Sequence, residues 1–300
     1  MPQPPACAAL SHGVGEGVLG TAPLARAWLL VHQQGTWGHD ALTESGLDPR
    51  VGRALAERAR HAGVRPGLIR RHARRRNEPG LEVLAASTTP GASWLARLRL
   101  EAPDELARLD LDALAKGEPP SGAVLLSEPA IAVCTNGRRD ACCAVNGRSV
   151  AAALNGEHPE RVWETSHLGG HRFAATAVLL PHGLVYGRLD AESARVLLRE
   201  ADEGRMVLEG LRGRSTWSPA GQVAEAEVRR TRAARALDAV TEVIEQRVDE
   251  NTFRCTVTEA DGTRWVVRVR VGRDGPARPA SCGASPEPVR ALVADPPEPT

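Results

Sequence analysis

Cys134-Thr-Asn-Gly-Arg-Arg-Asp-Ala-Cys142-Cys143, followed by Trp163-Glu-Thr-Ser-His167-Leu-Gly-Gly-His171, is the stretch around which this chain reads as organised. Cys134, Cys143, His167 and His171 are two pairs of good metal ligands, separated by about one helix and one strand of sequence. Thiolate and imidazole together suit zinc, copper or an iron–sulfur cluster and disfavour magnesium or calcium. Cys142 offers a C-x7-C spacing beside C-x8-C. Adjacent residues on a loop point apart, so only one of the two cysteines should face a metal, and spacing favours neither.

The second pair is not the helical H-x-x-x-H of zinc hydrolases. Gly169 and Gly170 lie between the histidines. Two adjacent glycines cost a helix interior roughly 1 kcal/mol each against alanine, which predicts a tight loop bringing both rings around one object. No glutamate follows His167 to act as a base, so a zinc peptidase is excluded.

Working outward, Ala130-Ile-Ala-Val-Cys134 is an apolar run of strand length. The pattern then predicts a helix over 147–154, strands over 161–165, 173–180 and 184–189, and a helix over 191–202 with Asp190 as its N-cap. This β-α-β-loop-β-β-α order is that of a thioredoxin-like domain, assigned to residues 121–215. Both ligand pairs then fall in loops beside strand ends.

On the N-terminal side, residues 1–120 read as a small α/β domain, with a second thioredoxin-like unit as one reading of it, entered by an irregular arm. Trp28-Leu-Leu-Val-His32 reads as a strand, residues 51–62 as an amphipathic helix closed by Gly63, and residues 67–72, 81–86 and 93–100 as further strands. The arm contains Gly15-Glu-Gly-Val-Leu-Gly20, which satisfies G-x-G-x-x-G, but no strand precedes it, so it reads as a flexible segment rather than a nucleotide loop. The basic run Ile69-Arg-Arg-His-Ala-Arg-Arg-Arg76 lacks interleaved aromatics and reads as a solvated strand end. Residues 101–122 form a partly helical connector.

On the C-terminal side, residues 216–300 form an appendage: a helix over 222–244, then a hairpin of 252–258 with 263–271 turning at Asp261-Gly262. The Pro- and Ala-rich tail beyond should wrap or fray, and Cys282 reads as a lone thiol rather than a ligand.

The 300 residues allow two domains, and 42% hydrophobic residues suffice for a core in each. A net charge of +1 supplies no global field toward nucleic acid or a membrane surface. The start shows no basic segment leading into an apolar run and no window reaches ~18 apolar residues, so the expected location is the cytoplasm. Six cysteines, three of them crowded into 134–143, then point to metal or redox work rather than a disulfide framework.

At Cys134-Thr-Asn-Gly-Arg-Arg-Asp-Ala-Cys-Cys143 and Ser166-His-Leu-Gly-Gly-His-Arg-Phe-Ala174 the sequence resembles the sucrase/ferredoxin-like family, a branch of the thioredoxin-like 2Fe-2S ferredoxins. Weaker likeness runs from Gly20-Thr-Ala through Trp37-Gly to Trp217-Ser-Pro. The resemblance implies a 2Fe-2S cluster held by C-x8-C plus H-x3-H, which falls on Cys134, Cys143, His167 and His171 and decides for Cys143 over Cys142. Asn136 stands where the family usually has histidine, outside the four ligands. The chain shows no carboxylate pair for glycoside hydrolysis.

The resulting expectation is a 2Fe-2S electron-transfer or redox-sensing protein, a component rather than a stand-alone enzyme. It would need a redox partner protein, because no flavin or nicotinamide motif is present. The alternative is a structural Cys2His2 zinc module, which the eight-residue cysteine spacing disfavours. Arg138 and Arg139 would offset cluster charge, and Asp140 would brace the loop.

Overall fold

The computed structural model describes residues 6–72, 80–273 and 275–300. A short helix α1 (Cys7–Gly13) precedes β1 (Ala27–His32), α2 (Pro49–Ala62), β2 (Val64–Arg70), β3 (Leu81–Ser87), β4 (Trp94–Leu100), a 3-10 segment at Pro103–Arg108, α3 (Leu111–Ala115) and β5 (Val124–Leu126). The order then recurs as β6 (Ala130–Cys134), α4 (Ala141–Glu157), β7 (Val162–Thr165), a 3-10 turn at His171–Phe173, β8 (Ala177–Leu180), β9 (Leu184–Tyr186), α5 (Ala191–Asp202) and β10 (Leu211–Arg214).

All ten strands belong to one mixed sheet, in the order β10-β9-β8-β6-β7-β2-β1-β3-β4-β5. Read outward from its centre, one half runs β2-β1-β3-β4-β5 and the other β7-β6-β8-β9-β10. The two halves match strand for strand. In each, the first two strands are parallel and the others antiparallel. Parallel neighbours need a crossover, and α2 and α4 supply it. The mixed α/β class expected from sequence is what forms, as a duplicated unit joined edge to edge.

The junction is a short antiparallel pairing of Ile69 with Thr165 and Arg70 with Glu164. Glu164 is buried, and its carboxylate accepts from Arg70 Nε at 2.9 Å and Thr135 Oγ1 at 2.7 Å while lying 2.7 Å from His72 Nδ1. Although burial works to raise it, these partners hold its pKa below the usual range. One carboxylate thus ties β2, β7 and the residue after Cys134 together. The basic run noted in the sequence supplies Arg70 and His72 here; its residues 73–76 lie outside the described residues.

Alternation along the strands divides the core. Ala27, Leu29 and Val31 face one cluster with Leu55 and Ala59 of α2, and Ile131 and Val133 face another with Val150 and Leu154 of α4. Trp28, Leu30, Ile69, Ala132, Trp163 and Val178 form a third cluster running across both halves. Burying a side chain of this size is worth about 1.5–3 kcal/mol, so the shared cluster is the main apolar bond between halves.

Residues 219–300 add α6 (Pro219–Arg232), β11 (Val240–Arg247), β12 (Thr252–Glu259), β13 (Arg264–Arg273), β14 (Arg278–Pro279), β15 (Pro286–Glu287), β16 (Arg290–Ala294) and β17 (Glu298–Pro299). The second sheet runs β11-β12-β13-β16, with β17 also on β13. Its core, Val257, Val267 and Val269, packs on Val223, Ala224 and Val228 of α6.

Four expectations are corrected. The helix expected over 222–244 stops at Arg232, because Ala233 turns left-handed (φ 53°) and Arg229 donates to the carbonyls of Ala234, Ala236 and Leu237, wrapping the chain around its guanidinium. The helix expected over 147–154 begins at Ala141, because Asp140 caps it by accepting the Cys142 N–H at 2.9 Å. Cys142 and Cys143 therefore lie on a helix, not a loop. The N-terminal arm contains α1. The tail takes the first of its two expected courses and wraps through β16 and β17, since β13 offers it an open edge.

Candidate metal centre

Cys134 is the last residue of β6 and Cys143 lies in the first turn of α4, which packs directly against the strand end. Gly147 permits that approach: a Cβ there would stand 2.1 Å from the Cys134 carbonyl oxygen. A larger residue would push the helix, and Cys143 with it, away from Cys134. His167 follows β7, the parallel neighbour of β6. Gly169 and Gly170, at φ 84° and 67°, then reverse the chain so that His171 opens the 3-10 turn. That is the tight loop the adjacent glycines predicted.

Ligand atoms of Cys134, Cys143 and His167 all lie within 4.8 Å of one another. His171 is not part of that compact group; its ring centroid is 5.0 Å from that of His167. Both cysteines are buried and both histidines are partly exposed, so the centre has a closed sulfur side and an open imidazole side. Cys142 points away from the centre, packing with Cys7 and Ala174.

The electrostatics favour a thiolate. Cys134 is pushed well below the ordinary thiol range, first by the hydrogen bond from Cys143 and then by contacts from His167 and the N–H groups of Asn136 and Leu168. Cys143 is pushed up by the same shared hydrogen bond and by burial. The two sulfurs share one hydrogen bond, whose proton a bound metal would displace. Nδ1 of His167 and Nδ1 of His171 are each buried without a hydrogen-bond partner. Two orphaned imidazole nitrogens beside two cysteines fit a metal or cluster as the missing partner.

Two arginines that sequence reasoning did not single out complete the surroundings. Arg212 is buried, with Nη1 donating to Gly169 O at 2.8 Å and Nε to Thr21 Oγ1 at 3.0 Å. Among the described residues it forms no ion pair with a carboxylate. Burial pushes its pKa down to about 9, with Arg172 and Arg65 adding to the fall while the Cys134 and Cys143 sulfurs oppose it. Arg65 is likewise pushed down by burial and held up by Cys134. A buried cation without a carboxylate partner, as Arg212 is among the described residues, is costly unless something anionic lies near. No local pattern marks either arginine, since their partners are distant in sequence.

Asn136 has two jobs. Its Oδ1 accepts the N–H groups of Arg138 and Arg139, closing the turn after Cys134, and its Nδ2 donates to Gly38 O at 3.1 Å, across to the other half of the molecule. Asp140 braces the loop as expected, and its Oδ2 also lies 3.9 Å from Nε2 of His171.

A Cys/His group that could hold a metal thus stands at the end of a parallel strand of a mixed α/β protein, beside a helix N-terminus and the buried Arg212. The sucrase/ferredoxin-like family model matches residues 18–213, and the chain belongs to that family. No curated protein and no solved structure matches it.

Proposed function

We propose that Cys134, Cys143, His167 and His171 hold a 2Fe-2S cluster, and that the protein is a thioredoxin-like ferredoxin serving electron transfer or redox sensing. The observation that carries this reading is the approach of the Cys134 and Cys143 sulfurs to His167, with a buried Nδ1 lacking a hydrogen-bond partner on both His167 and His171, in a chain of this family. The strand arrangement β7-β6-β8-β9 with α4 and α5 supports the thioredoxin-like part of it.

When bound, such a cluster takes up and returns one electron. The chain's residues set the conditions. Cys134 and Cys143 bind from the buried side, and the N–H groups of Asn136 and Leu168 donate to the Cys134 sulfur. Arg212 and Arg65 balance the negative charge of the thiolates and sulfides. Neutral imidazoles in place of two thiolates favour the reduced state relative to all-cysteine ligation. The partly exposed edge at His167 and His171 is where a redox partner protein would approach.

The compactness of the Cys134–Cys143–His167 group, with His171 outside it, favours a second reading: one zinc ion in a structural site. Anaerobic redox titration of the full chain separates the two readings. Reversible bleaching by dithionite, with one electron taken up per chain, is expected; a preparation with no reducible chromophore supports zinc.

A further inference from the structure

Three thiols from distant parts of the chain meet on the other side of the α4 N-terminus. Sγ of Cys7 lies 3.6 Å from Sγ of Cys142, Sγ of Cys142 lies 3.3 Å from Sγ of Cys282, and Sγ of Cys282 lies 3.6 Å from Sγ of Cys7. Asp140 closes the fourth corner, with Oδ1 3.3 Å from Cys282 Sγ and 3.8 Å from Cys7 Sγ. All four ligand atoms lie within 4.8 Å of one another. Cys7, Asp140 and Cys142 are buried, and Cys282 is exposed. Cys282, expected from sequence to be a lone thiol, is therefore part of a cluster.

We propose that Cys7, Cys142, Cys282 and Asp140 form a second metal site, a structural Zn(II) centre that fastens α1 and the β14–β15 hairpin to the start of α4. A tetrahedron with zinc–sulfur bonds of about 2.3 Å and a zinc–oxygen bond of about 2.0 Å has sulfur–sulfur edges of about 3.8 Å and sulfur–oxygen edges of about 3.5 Å. The observed separations sit close to both. A disulfide would join only two of the three sulfurs, at about 2.0 Å, and would leave the third without a role. Three sulfur donors and one carboxylate select zinc over magnesium or calcium.

The surroundings are those of a held site. Asp140 is oriented by two backbone donors, the N–H of Cys142 at 2.9 Å and that of Cys282 at 2.8 Å. Glu16, fully buried, pairs with Arg278 and with Arg172 at 2.7 Å each, locking the hairpin and the arm onto the turn that carries His171. Three thiolates and a carboxylate around Zn(II) leave a net negative centre, which the N-terminus of α4 stabilises. Burial pushes the Cys7 thiol up strongly and the Cys142 thiol up to about 11. Zinc binding displaces whatever protons the ligating thiols carry and involves no electron transfer.

The test is zinc content and thiol protection on the full chain. Wild type, Cys134→Ser and the control Cys255→Ser, whose thiol is buried in the second sheet, should each retain this zinc equivalent; Cys7→Ser and Cys282→Ser should lose it without losing any visible chromophore. Alkylation of the wild type read by mass spectrometry avoids any dependence on variant folding. Cys7, Cys142 and Cys282 should be protected with zinc bound and react after chelation. Zinc retained by both Cys7→Ser and Cys282→Ser, alkylation unchanged by chelation, or a disulfide between any two of the three would overturn the proposal. A colourless wild type that still holds this zinc would count against the iron–sulfur reading alone.

Discussion

Arg212 donates through Nη1 to the carbonyl of Gly169 at 2.8 Å, so a buried cation fixes the backbone between the two site histidines. A Cβ on Gly170 would stand 2.5 Å from the same guanidinium, which shows how closely the loop is laid over it. Arg212→Leu removes both the positive charge and the loop support. The variant should hold its metal or cluster about 10- to 100-fold less tightly, the usual cost of losing an outer-shell partner, with a lower midpoint potential for whatever cluster remains. Chelator competition against wild type measures the first effect, and unchanged retention would show that Arg212 serves only the core.

Cys142 and Cys143 are adjacent, yet they serve different sides of α4. Cys143→Ser should abolish or strongly alter iron–sulfur absorbance, whereas Cys142→Ser should leave it and remove zinc instead. Paired absorbance and metal analysis on the two variants checks the division. Bleaching by Cys142→Ser alone would reverse the assignment.

Glu225 accepts from Arg214 Nε at 3.2 Å and Arg229 Nε at 3.0 Å, all three side chains being buried. Despite its burial, the two guanidiniums hold its pKa below the ordinary carboxylate range. Glu225→Gln strands two buried cations and should cost about 3–5 kcal/mol. Urea denaturation measures this, and a loss under about 1 kcal/mol would mean that the carbonyls around Arg229 suffice.

His182 is pushed from an ordinary 6.5 down to about 4, by burial and by neighbouring Arg214. Between those values the unfolded chain binds the extra proton. Stability is therefore complete above pH 6.5 and falls as pH drops toward 4, by at most about 1.4 kcal/mol per pH unit from this group. His182→Asn should flatten that part of the curve. Thermal melts of both proteins across pH 4 to 8 give the comparison; parallel curves would remove His182 from the account.

The parts of this architecture that sequence made legible are those written in local pattern. Asp190 capping α5, with Ser193 closing the box, follows from residue identity at fixed spacing, and the helix spans the expected residues. Ligand chemistry pointed to Cys134 and His167, but spacing left Cys142 and Cys143 open, and only the family resemblance chose Cys143. The meeting of Cys7 with Cys282 could not be read, because it depends on a tail that wraps back along β13 and on the buried Glu16–Arg278 pair. Strand-for-strand duplication was legible only as a second thioredoxin-like reading of residues 1–120: matching topology imposes matching burial, not matching residues, and no ligand cysteine follows β1 where Cys134 ends β6. Arg229, by ending α6 through backbone carbonyls, acts where helix propensity alone would have continued.

The central claim is a 2Fe-2S cluster on Cys134, Cys143, His167 and His171, and the most direct test is to count iron and acid-labile sulfide per chain in anaerobically prepared wild-type protein. The account predicts iron and sulfide in equal amounts, about two of each per chain, in a coloured protein. A folded, colourless protein without iron or sulfide, whose zinc is lost on Cys134→Ser, would contradict it.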